Sequence, residues 1–106
     1  MITSYDKTFR RVKVHYEGFL ATDLEHPFDS SRERDMTFTF ILGKRQVMEG
    51  WEVAVASMSL GQLAEVTIPH CFAYGDEGYP PIIPPKSTLV FRIELLDILE
   101  DQSNVG

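Results

Sequence analysis

With one cysteine, Cys71, in 106 residues, the chain can form no internal disulfide and offers no thiolate cluster for zinc. The three histidines, His15, His26 and His70, have no metal-ligand spacing, so no metal is expected. No apolar run approaches the ~18 residues that cross a bilayer. The opening MITSYDKTFRRV has no apolar centre of the kind a secretory leader needs, so none is expected. Positive charge is scarce: 10 Lys and Arg stand against 16 Asp and Glu, a net charge of −6. Nonspecific nucleic-acid binding needs clustered cations, and Arg10-Arg11-Lys13 is too short a cluster. Leu42-Gly43-Lys44 lacks the glycine spacing of a phosphate loop, so no nucleotide or other cofactor is implied. These absences predict a cytoplasmic or nuclear monomer with no nucleic-acid or membrane partner.

What is present predicts a packed fold. A 43% hydrophobic content excludes disorder, and the length suits one domain burying about 60–70% of its unfolded surface. Arg10–Leu20 alternates, with Val12, Val14 and Tyr16 on one face, and so predicts a strand. Thr37–Leu42 repeats the pattern through Phe38, Phe40 and Leu42. Leu63–Ile68 does so through Ala64, Val66 and Ile68. Thr88–Leu99 is longest, with Leu89, Phe91, Ile93 and Leu95 inward. Val47, Trp51, Ala54, Val55 and Met58 fall instead at helical spacing, with Gly61 as a stop. Gly50 weakens that helix by about 1 kcal/mol relative to Ala, so packing of the Trp51 face must hold it. The stretches 21–27 and 72–86 read as loops. The fold class is α+β, an antiparallel β-sheet wrapped around one short α-helix. Residues 1–106 form a single domain, of which 100–106 are a polar tail.

Conventional covalent catalysis finds little support. Cys71 neighbours His70, but adjacent residues of an extended segment point to opposite faces, so Cys71 reads as a small packed hydrophobe. Asp29 in FDSS reads locally as a turn or helix-cap residue. Trp51 and Phe91 read, from period alone, as core. Aromatic residues nevertheless recur in five separate stretches, which local pattern does not explain.

Those stretches are VHYEGFL, FDSSRER, LGKRQVMEGWE, FAYGDEGYPPIIPP and TLVFRIELLDI. Together they resemble the FK506-binding protein family of peptidyl-prolyl cis-trans isomerases along most of residues 10–99. The resemblance implies an enzyme acting on X–Pro bonds of peptide or protein clients, and binding of macrolides such as FK506 and rapamycin. It implies catalytic roles for Asp29, Tyr74, Trp51 and Phe91. Trp51 would be the floor of an apolar pocket, with Tyr16, Phe28, Phe38, Tyr74 and Phe91 as walls. Asp29 would shape a polar rim held by Arg34, and Tyr74 would donate its hydroxyl to a ligand carbonyl. The Met48 N–H would hold a second carbonyl, and Gln46 and Val47 would belong to the same wall. Tyr79, Ile82 and Ile83 would line the lip of the long loop, although from the residues alone Ile82 and Ile83 read equally as a plug beneath it.

Several positions depart from the family pattern. Gln46 replaces a common acidic residue, and Met48 a branched aliphatic one. Tyr79 and Pro81 change the loop tip, and the 21–27 loop is about two residues longer than in the smallest members. The family usually places a further strand before the first, so either Ile2–Phe9 rebuild it or the domain is shortened. A second functional reading stays open, a non-catalytic or weakly catalytic binding module of a larger chaperone-associated protein.

Overall fold

The computed structural model describes residues 10–99. The edge strand considered for Ile2–Phe9 and the tail at Glu100–Gly106 lie outside the described residues. Five strands and one helix follow in the order β1 (Arg11–Leu20), β2 (Asp29–Ser30), β3 (Phe38–Ile41), α1 (Glu49–Ala56), β4 (Leu63–Ile68) and β5 (Leu89–Leu99). A 3₁₀ turn, His70–Phe72, leaves β4. All pairings are antiparallel, in the order β2-β1-β5-β4, with β3 also pairing with β1. No helix of the described residues is long and apolar enough to cross a membrane.

Period-2 alternation places the core on one face of the sheet. Val12, Val14 and Tyr16 of β1 are buried with Leu89, Phe91, Ile93 and Leu95 of β5. Their phase changes where β5 carries one extra residue: Lys13 pairs with Asp97 but Val14 with Leu95. Beyond that bulge Ile98 lies opposite Val12 and packs against the core. On the outer face, Phe19 and Val90 are paired and buried, and the Arg92 guanidinium lies 4.7 Å over the Phe19 ring. Glu65 accepts from the same guanidinium at 3.1 Å.

The helix is shorter than the helical spacing predicts. It spans Glu49–Ala56 with Met48 as N-cap, and Ser57, not Gly61, is its C-cap. Val47 and Met58 fit the period but lie outside it, packing against the core from flanking turns. Gly61, at φ 86°, instead forms the turn to β4, donating its N–H to the Leu95 carbonyl at 2.8 Å. Trp51 and Val55 are the buried pair, one turn apart. β2 is a strand that sequence period does not reveal. Asp29 sits in it opposite Gly18, and the turn role falls to Ser30, whose Oγ accepts the Glu33 N–H at 3.2 Å.

Gly50 has a packing reason. A Cβ there would lie 2.5 Å and 2.8 Å from atoms of the Ile68 side chain, itself 2% exposed. Replacing Gly50 by Ala gains about 1 kcal/mol of helix propensity, whereas overpacking costs about 1–3 kcal/mol. The expected outcome of Gly50→Ala is therefore net destabilisation, read as a lower urea midpoint. A raised midpoint would contradict this packing.

Candidate functional site

The core-facing side of the sheet, the start of α1 and the loop after β4 line a cavity of about 430 Å³. Trp51 reaches it from the first turn of the helix, and Tyr16 and Phe91 from the paired central strands. Phe28 and Asp29 come from β2 and its approach, and Phe38 from β3. Arg45, Gln46, Val47 and Met48 form the side before the helix, with Ala73 and Tyr74 opposite.

The rings meet mostly edge to face. Trp51 lies 5.1 Å from Tyr16 and 5.4 Å from Phe91, centroid to centroid, at interplanar angles of 83° and 84°. Phe28 stands on Phe91 at 5.8 Å. Phe40 stacks on Phe38 at 5.5 Å but is buried behind it and does not line the cavity. The close approach of Phe91 and Phe28 requires Gly18. A Cβ at that position would lie 2.6 Å from Phe91 and 2.9 Å from Phe28.

Polar groups converge at one end. The Tyr16 hydroxyl donates to Asp29 Oδ2 at 2.5 Å and accepts from Arg34 Nη2 at 3.0 Å. Arg34 Nη1 donates to Asp29 Oδ1, closing a three-membered network. Burial pushes the Tyr16 hydroxyl pKa up, and the bond to Asp29 adds to this while Arg34 opposes it. The bonds to Tyr16 and Asp29 hold the Arg34 guanidinium above its ordinary value. Ser31, fully buried, clamps the Tyr16 backbone: its Oγ accepts the Tyr16 N–H at 2.7 Å, and its N–H donates to the Tyr16 carbonyl at 3.0 Å. His15 Nδ1 lies 2.8 Å from the same Oγ.

Tyr74 differs. Burial also raises its pKa, followed by the nearby Asp29 and Tyr79. Its hydroxyl has no partner among the described residues. The backbone before the helix is held by side chains. Glu52 accepts the N–H of Gly43 at 2.8 Å and of Arg45 at 3.2 Å, and Gln46 Oε1 accepts the Ile41 N–H at 2.9 Å. The Met48 N–H is left without an acceptor among the described residues.

Of the residues singled out in the sequence, ten line this cavity: Tyr16, Phe28, Asp29, Phe38, Gln46, Val47, Met48, Trp51, Tyr74 and Phe91. Arg34 stands behind Asp29 rather than on the wall. Tyr79 packs tilted against Tyr74 at 5.5 Å without reaching the cavity lining. Ile82 is exposed, whereas Ile83 is buried in the core, so the two isoleucines divide between lip and plug. Mutual backbone bonds between Tyr79 and Ile83, both 2.8 Å, fix that division. Sequence reasoning missed Arg45 and Ala73. Both lie in irregular backbone, where no period indicates side-chain direction.

Raised tyrosine pKa values carry a pH consequence. A group whose pKa is higher folded than unfolded contributes stability that is present below the unfolded value, near 10, and lost as pH rises through the folded value. Stability should therefore fall above about pH 10, and Tyr16→Phe should shrink that fall. Urea midpoints between pH 8 and 11 measure it, and an unchanged alkaline slope in Tyr16→Phe would refute the assignment.

Known proteins resemble this chain over most of its length. Residues 5–96 match the sequence model of a family described as FKBP-type peptidyl-prolyl cis-trans isomerase. The chain is 45% identical over 96 residues to peptidyl-prolyl cis-trans isomerase Fkbp12 of Drosophila melanogaster, covering 91% of this chain and 87% of that protein. It is 48% identical over 93 residues to peptidyl-prolyl cis-trans isomerase FKBP1A of Xenopus laevis, covering 88% and 84%. It is 44% identical over 97 residues to peptidyl-prolyl cis-trans isomerase FKBP4 of Rattus norvegicus, covering 87% of this chain but 21% of that protein.

Proposed function

The chain belongs to the FKBP-type peptidyl-prolyl cis-trans isomerase family and is an enzyme of that activity, and from that premise we propose that the aromatic cavity is where the prolyl bond is held and turned. The supporting observation is the cavity's division of labour. Six aromatic rings line it, its carboxylate is already engaged by Tyr16 and Arg34, and the Tyr74 hydroxyl and the Met48 N–H are among its donors with no partner in the described residues.

Turning an X–Pro bond meets a barrier of about 18–20 kcal/mol because amide resonance is lost. Uncatalysed, the exchange takes tens to hundreds of seconds. The twisted amide has less charge separation than the planar one, so apolar walls favour it over the ground state. A donor that bonds the twisted form more strongly adds differential binding, which is what accelerates a reaction. In this reading the pyrrolidine rests on Trp51 between Phe28, Phe38 and Phe91. Tyr74 and the Met48 N–H take ligand carbonyls. Asp29, Tyr16 and Arg34 set the field at the rim without exchanging protons. Tyr79 and Ile82 form the outer lip, and Ile83 anchors the loop that carries them.

The same cavity suits FK506 and rapamycin, whose prolyl-like ring would occupy the Trp51 floor. Clients are X–Pro segments of folding or flexible chains, with an apolar residue before the proline suiting the aromatic walls. The lone cysteine supports a cytoplasmic or nuclear setting. We take residues 1–106 as one domain. The longer rat relative favours a second reading, in which such a domain serves as a docking unit of a larger protein.

Two measurements test the site. With Tyr16 and Tyr74 held neutral by raised pKa values, kcat/KM on short X–Pro peptides should stay flat from about pH 6 to 9. A bell with a limb near the histidine range would overturn the mechanism. Tyr74→Phe should lower kcat/KM by about two- to ten-fold, the size of one neutral hydrogen bond, and full retention would remove Tyr74 from the reaction.

Ligand binding has its own reporter, because Trp51 is the only tryptophan. FK506 should block turnover and change the emission in a saturable one-to-one titration. A folded sample with a flat titration would take the floor role from Trp51.

A further inference from the structure

Arg45 lines the cavity, yet the proposed prolyl site gives it no task. Its backbone lies in the left-handed region at φ 58°, pinned by the N–H bond to Glu52, and its side chain is exposed. It stands on the ridge between the cavity and a second groove lined also by Gly43, Val47, Glu49 and Glu52. Among the described residues its guanidinium has no ion pair or hydrogen-bond partner. The other charges at the cavity cancel, since Asp29 is paired with Arg34. Gln46 beside it is neutral, and its side-chain oxygen is occupied by the Ile41 N–H. Glu49 and Glu52 face the far groove, and both Glu52 oxygens accept backbone N–H groups. In a chain of net charge −6, the Arg45 guanidinium is thus a cation on the cavity lining with no ion-pair partner among the described residues.

We propose that Arg45 is a specificity-determining residue that favours X–Pro substrates carrying a carboxylate side chain within two residues of the proline. The inference rests on the cavity being the prolyl site. An extended peptide advances about 3.3 Å per residue, so two residues span about 7 Å, comparable to the width of a cavity of this volume. A substrate seated on Trp51 therefore brings its flanking side chains within reach of Arg45 on the wall. A guanidinium presents a planar fork that matches a carboxylate with two parallel hydrogen bonds. The aromatic surroundings offer a passing carboxylate no other cation, because Arg34 is engaged.

The test compares kcat/KM for matched peptides that differ only by Glu or Gln at each position within two residues of the proline. The enzymes are the unaltered chain and Arg45→Lys, Arg45→Gln and Arg45→Glu, each shown to be folded by circular dichroism. At low salt the unaltered chain should favour Glu by about two- to five-fold at one or more positions, the size of an exposed ion pair. The preference should shrink at about 1 M salt, where the screening length is about 3 Å. Arg45→Lys should keep its direction, Arg45→Gln should bring the ratio to one, and Arg45→Glu should reverse it. A ratio of one at every position in the unaltered chain, or an equal ratio in Arg45→Gln, overturns the proposal. FK506 is added to the Gln peptides in the same assay. Block of turnover with an unchanged Glu/Gln ratio across the variants removes the role of Arg45 alone. Turnover that FK506 does not touch removes the cavity reading and the role of Arg45 with it.

Discussion

The site depends on how one indole is held. Trp51 is buried, with Tyr16, Phe91, Phe40 and Phe38 around it at centroid distances of 5.1, 5.4, 5.7 and 5.9 Å, all edge to face. Each such pair is worth about 0.5–1.5 kcal/mol beyond area burial, so four contribute about 2–6 kcal/mol. Against this stands a buried Nε1–H with no hydrogen-bond partner among the described residues, a cost of about 1–3 kcal/mol. The rings outweigh the unpaired donor. The same four contacts tie α1 to β1, β3 and β5, so the floor of the cavity and the joint between helix and sheet are one structure.

That coupling explains why the polar groups sit at the rim and answer to one another. A carboxylate placed among aromatic rings without a partner would be strongly disfavoured. Asp29 avoids this by facing Tyr16 and Arg34 at the half-exposed end, where an ion pair loses less hydration. β2, only two residues long, sets the geometry. Its pairing places Asp29 opposite Gly18, and Ser31, the next residue after β2, clamps the backbone of Tyr16. Tyr16 is thereby fixed at both its backbone and its hydroxyl.

Much of this was legible in the residues because sheets alternate. Every inward position read in β1 and the long run of β5 is buried, and the bulge at Leu96 marks where simple alternation stops. The helix was read too long, since Val47 and Met58 share its spacing while lying in turns that pack the same way. β2 escaped notice because two residues carry no period. Loops were the least legible. Ile82 and Ile83 are adjacent and chemically identical, yet backbone bonds to Tyr79 turn one outward and bury the other. Arg45 lines the cavity from backbone of positive φ, which its residue type does not announce. Ten of the residues singled out came together on one cavity because the resemblance supplied what local pattern could not.

In the proposed mechanism, a rate enhancement that needs no proton transfer places its demands on rigidity instead. The reacting amide changes shape, not charge state, so walls that yielded to the planar form would stabilise ground and transition states alike and gain nothing in rate. The backbone before α1 is where such yielding would begin, as it is exposed and irregular. Glu52 and Gln46 counter it by accepting three backbone N–H groups across that turn. They leave the Met48 N–H, one residue ahead of the helix, without an internal partner among the described residues. Internal bonds thus hold the frame, and on the proposed reading the donors left over are the ones a substrate carbonyl would use.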